Sequence, residues 1–183
     1  MSYLRDLAIS LEIDRKVTLV SADTWDAVLS ACLEGHKRAG PFQRMHVVWE
    51  WEGEDAASLA MRWRDIVEQV WLQVGVRPRL IVCRPSFLIW ILWHFEDVES
   101  DCQANEVRKR LERVLKRSVG VHVPALHART VVHLGEAIRR ARQKSRLRQV
   151  GGAGGAGWMM ETNTDLHELV IAWYRLARRE LPE

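Results

Sequence analysis

The stretch VVWEWEGE, residues 47–54, sets Glu50 and Glu52 two positions apart, with Glu54 close behind. Carboxylates two apart on a strand point to one side. A strand ending here would therefore offer two acids to a single divalent cation. Mg2+ takes oxygen ligands of this kind, and a metal-bound water is a nucleophile suited to phosphodiester cleavage. Asp23, after an earlier apolar run, is a third candidate, as metal ligand or as catalytic acid or base. Each acid also has a plainer reading. Glu54 and Asp55 suit the positive end of a helix dipole, and Asp23 or Thr24 suits the cap of the helix that follows.

Other reactive side chains offer less. His94 sits in an apolar run and reads as a hydrogen-bonded core histidine. His46 precedes a strand without an evident partner, and His122, His127, His133 and His167 lack metal-ligand spacing. Cys32, Cys83 and Cys102 are odd in number and form no CxxC pair, so reduced, buried thiols are expected. No GxSxG, Walker loop or HExxH occurs, and GGAGGAG at 151–157 lacks a lysine and reads as a flexible loop.

Charge points to phosphate. The formal net charge is only +3, yet residues 139–148, RRARQKSRLR, carry Arg139, Arg140, Arg142, Lys144, Arg146 and Arg148 without an acid. Such a run binds nucleic acid by counterion release, although cations also suit a helix carboxyl end.

These residues need a scaffold. The 183 residues suit one α/β domain, and 48% hydrophobic with 28% charged composition is that of a globular chain. The nine tryptophans read mainly as core. The amino terminus lacks a signal-peptide core, and FLIWILW at 87–93 is too short to span a bilayer, so a cytoplasmic protein with no membrane partner is expected. Strands are expected at 16–22, 45–51 and 77–83, and helices at 23–40 and 57–75 between them. Alternation at this spacing implies right-handed crossovers and a parallel sheet flanked by helices. Ligands gather at the carboxyl ends of such strands, where Ser21–Asp23, Glu50–Glu52 and Cys83–Pro85 would meet. Helices at 85–98, 104–118, 130–149 and 165–181 make the second half helical, the last packing back on the domain with Thr164 or Asp165 as its cap.

The run RLIVCRPSFLIWILWHFEDVES, with VVWEWEGE before it and ETNTDLHELV late in the chain, resembles the RloB-like family of restriction-linked, phage-defence proteins. The resemblance covers nearly the whole chain and implies a TOPRIM fold, Mg2+-dependent phosphoryl transfer on nucleic acid, and possible protein partners in a defence complex. Glu50 and Glu52 stand at the family's Asp-x-Asp positions. Ala22 stands where its first glutamate falls, and Leu88 where a glutamate follows proline, a small residue and phenylalanine. The departures open an alternative: a catalytically degenerate module that binds or regulates. A nucleotide- or second-messenger-binding domain is a third reading.

Overall fold

Two apolar, β-branched runs pair in parallel at the centre of the molecule. The computed structural model describes residues 2–40, 43–51, 53, 55–98, 102–116, 126–150 and 163–181. Within these, β1 (His46–Glu50) pairs with β2 (Arg79–Arg84) from His46↔Arg79 to Glu50↔Cys83. A two-residue β3 (Asn163–Thr164) pairs antiparallel on the other side of β2, giving the order β1-β2-β3. The fold is mixed α/β and mostly helical around this small sheet.

The remaining elements are α1 (Ser2–Ser10), α2 (Trp25–Ala39), α3 (Ala56–Val74), α4 (Leu88–Leu92), α5 (Ala104–Leu115), α6 (Leu126–Thr130), a 3-10 turn (Val131–His133), α7 (Leu134–Val150) and α8 (Leu166–Ala177). Both sheet faces are covered, which explains why the strands are apolar without alternation. Val48 and Ile81 face a core shared by α1 and α4 to α8. Val47, Trp49, Leu80 and Val82 face α2 and α3 on the other side. The largest core holds Trp90 and Trp93, both fully buried. Truncating an aromatic side chain in such a place costs about 3–5 kcal/mol.

The expected strand at 16–22 is a correction. The segment forms no ladder, so the parallel part of the sheet has two strands rather than three. Burial still alternates: Val17 and Leu19 pack against the α4 side, while Val20 stays 51% exposed. Ala22 then joins the α2 side. The side-chain pattern of a strand is present without its hydrogen bonds, because sequence period reports burial and not backbone pairing.

Helix ends follow local chemistry. Thr24 accepts a hydrogen bond from Ala27 N–H at 3.2 Å and caps α2, and Asp55 accepts from Ser58 N–H at 2.9 Å and caps α3. Thr164, fully buried, accepts from Leu166 N–H at 3.1 Å, whereas Asp165 makes no side-chain cap. Gly75, at φ 70, ends α3 in the left-handed conformation glycine adopts without strain. The helix expected at 85–98 shrinks to Leu88–Leu92, after which His94 N–H and Phe95 N–H bond three residues back, to Ile91 and Leu92 carbonyls. Tight turns of that kind close a helix. The helix expected at 130–149 begins at Leu134 instead, after α6 and the 3-10 turn. Trp71 and Leu176, expected on apolar stripes, remain 44% and 43% exposed. Cys32, Cys83 and Cys102 are buried and form no disulfide.

Candidate functional site

Glu50 is the last residue of β1, opposite Cys83, and Trp51 N–H continues the pairing to Cys83 O at 3.0 Å. Residues two apart share a face, so Glu50 follows Val48 onto the α4 side. Its Oε1 accepts the Phe87 N–H at 2.8 Å. That bond ties the carboxyl end of β1 to the turn Arg84–Ser86, which contains a cis Arg84–Pro85 peptide and leads into α4. The Arg84 guanidinium lies 5.0 Å from the Trp51 ring centroid. The exposed Glu50 carboxylate is therefore fixed in place by a backbone donor, and the sheet's carboxyl end is where it stands.

Asp23 comes from the segment just before α2. It is exposed, one residue before the cap of α2, and the adjoining Trp25 stacks on Trp49 with centroids 4.0 Å apart. Trp49 faces the α2 side, opposite in parity to Glu50. Glu52 and Glu54 lie outside the described residues.

A second acid bears on the buried thiol opposite Glu50. Cys83 is completely buried, its Sγ 3.1 Å from Thr164 Oγ1, and its pKa is pushed up to about 12, first by burial. The negative charges of Glu50 and Asp165 add to the shift, so both acids stand near this sulfur. Sequence reading treated Asp165 only as a cap. The signal that could have found it is the late Thr164-Asp165 pair, which becomes relevant once β3 is known to pair with β2. Mg2+ is commonly held by one or two carboxylates together with waters and substrate phosphates. Glu50 is one such carboxylate, and among the described residues no three His, Cys, Asp or Glu side chains group closely enough to hold a metal.

His94 is a core residue. Its Nδ1–H donates to Trp90 O at 2.9 Å, leaving Nε2 as the acceptor facing Tyr3 Oη at 3.4 Å. Burial holds its pKa down at about 4, against favourable bonds to the Trp90 and Ile91 backbone. The same burial pushes the Tyr3 phenol up to about 12. His127, scattered in sequence, joins this group: Ser10 donates to Leu7 O, so His127 Nε2–H donates to Ser10 Oγ at 2.9 Å. Its pKa is lowered by burial. Both rings are neutral packing elements that lock α1 against α4 and α6.

The basic run divides by role. Arg140 is mostly buried, 13% exposed, and donates to Trp93 O at the end of α4. Arg139 is exposed and paired with Glu136 at 2.8 Å, and Arg142 is exposed. Lys144 is half-buried and has an interaction of its own. Arg146 and Arg148 belong to α7, but their side chains lie outside the described residues, as does GGAGGAG. From α5, Arg110 pairs with Glu96 and donates to Asp97 O at 3.0 Å. One arginine from α5 and one from α7 thus grip the same turn, residues 93–97, and the two helices flank it. Arg108, Lys109, Arg113 and Lys116 are exposed on α5.

No helix among the described residues is long and apolar enough to cross a membrane. Comparison of the chain with protein-family models, with curated proteins and with solved structures finds no match.

Proposed function

We propose that this chain is a nucleic-acid-binding α/β module that engages the phosphate backbone through α5 and α7. The observation that carries the reading is the shared anchoring of Arg110 and Arg140 on the 93–97 turn. It ties both basic helices to one turn. Residues 104–116 hold five cations against two acids, and residues 134–150 six against one. The anchor arginines are consumed by the fold, which leaves Arg108, Lys109, Arg113, Lys116 and Arg142 for phosphates, with Arg139 joining them by exchanging its exposed Glu136 partner. The resemblance to the RloB-like family supports a TOPRIM-like ancestry and a role in anti-phage defence, with a further protein as partner. The test is fluorescence anisotropy of labelled single- and double-stranded DNA and RNA across a salt series. Arg139→Ala with Arg142→Ala should flatten the log–log salt slope by about two. Binding without salt dependence, or a slope unmoved by the double substitution, would refute the reading.

A second reading keeps catalysis, favoured by the Glu50 carboxylate fixed at the carboxyl end of β1. Here Glu50, with Glu52 and Asp23 as expected from sequence, would bind Mg2+ and direct a water at a phosphodiester. Metal-dependent cleavage of plasmid, single-stranded DNA or RNA that disappears in Glu50→Gln would establish it. Cleavage surviving that substitution would rule the site out.

A further inference from the structure

At the opposite end of the sheet, where β1 and β2 begin, a cleft of about 320 Å3 opens against α8. Arg79 N–H donates to Met45 O at 2.9 Å and holds the two strand beginnings together. The polar groups around the cleft are Gln43, Arg44, His46, Arg77, Arg79 and Glu168. Three arginines and a single carboxylate therefore line it. Arg79 pairs with Glu168 at 2.8 Å, and both side chains are exposed, at 67% and 49%. Arg77 lies 5.0 Å from the centroid of the Trp71 ring, which steadies its guanidinium without neutralising it.

We propose that this cleft binds a phosphoryl oxyanion, carried by a small phosphorylated ligand or by a nucleic-acid strand. The guanidinium fork matches phosphate oxygens two at a time. Three such forks offer more donors than the two oxygens of Glu168 can accept, and a tetrahedral oxyanion supplies the missing acceptors. Glu168, in the first turn of α8, is the internal competitor that holds Arg79 until an anion takes its place. The volume lies at the small end of ligand-site sizes. The site is separate from the α5 and α7 cations and does not depend on the reading proposed for them.

His46 reports occupancy. Burial lowers its pKa first, then the charges of Arg79 and Arg44, with Glu168 opposing. Arg77 is the remaining charge around the cleft. The ring is thus biased towards neutrality in the empty cleft. An arriving dianion offsets the arginines and favours the imidazolium, so above the ligand's second pKa of about 6, where it is already a dianion, binding takes up a proton at His46.

The test is isothermal titration calorimetry of the full chain with inorganic phosphate, adenosine monophosphate and a 5′-phosphorylated oligonucleotide, at constant ionic strength in buffers of different ionisation enthalpy. Arg79→Gln should weaken binding about tenfold, and Glu168→Gln should tighten it. His46→Gln should remove the proton uptake. Arg44→Gln serves as a second variant if Arg79→Gln does not fold. A response of phosphate and the mononucleotide to these substitutions identifies a small-ligand site; a response of the oligonucleotide alone identifies a strand contact. Arg139→Ala with Arg142→Ala should leave phosphate binding unchanged, which separates this site from the basic helices. Failure of all three probes to bind, binding indifferent to Arg79, Arg44 and Glu168, or weaker binding by a folded Glu168→Gln protein would overturn the proposal.

Discussion

Replacing Glu50 with alanine isolates what its carboxylate does. In the structure Oε1 accepts one backbone donor, Phe87 N–H, at 2.8 Å. The group is exposed, so solvent screens its charge, and the freed N–H regains water. The comparable loss of a helix-capping acceptor costs about 0.5–2 kcal/mol, and exposure places Glu50 near the middle of that range, at about 1 kcal/mol. For a domain of this length that is a fall in melting temperature of about 2–4 °C. Glu50→Gln keeps an oxygen acceptor and loses the charge, so its melting temperature should lie between wild type and Glu50→Ala. The assay is differential scanning calorimetry at neutral pH, with and without Mg2+. An ion held at this rim would stabilise the wild type by about 1.4 kcal/mol at tenfold excess over its dissociation constant. That increment would vanish in Glu50→Gln. An unchanged melting temperature in Glu50→Ala would refute the claim that this bond holds the β1 end to the turn before α4.

Two further outcomes follow from the core. His94 has a folded-state pKa of about 4 against 6.5 unperturbed, so between those values the unfolded chain binds more protons. Its contribution to stability is complete above about pH 6.5 and is lost as pH falls towards 4, by about 3 kcal/mol in all. Urea denaturation across that window should show the decline, and a His94→Gln protein of unchanged pH slope would refute it. Arg140→Ala removes the donor to Trp93 O and should cost about 1.5–3 kcal/mol by the same assay. Equal stability of Arg140→Ala and wild type would return Arg140 to the nucleic-acid surface.

Much of the local architecture is legible in the chain itself. Apolar spacing locates α2, α3, α5 and α8, and the β-branched runs locate β1 and β2, because side-chain burial repeats with the period of the backbone. The segment at 16–22 shows the limit of that signal. Its residues alternate in burial as a strand's do, yet a ladder needs a partner at hydrogen-bond distance, which no local pattern specifies. The apolar run at 85–98 fails for a related reason. A helix buried on all sides carries no periodic mark of where it stops, so its end is set by the turn that Arg110 and Arg140 grip.

What the sequence determined alone is which residues carry charge and where carboxylates cluster: Glu50 beside a strand end, and cations at 139–148. Only the tertiary structure decided their company. Pairing of β3 with β2 set Thr164 against Cys83, and pairing of β1 with β2 set Glu50 opposite the same cysteine. Folding likewise turned Arg140 inward and gathered Arg44, Arg77 and Arg79 around one cleft. Charge belongs to a residue, but coordination, pairing and anion affinity belong to distances between residues far apart in the chain, and packing sets those distances.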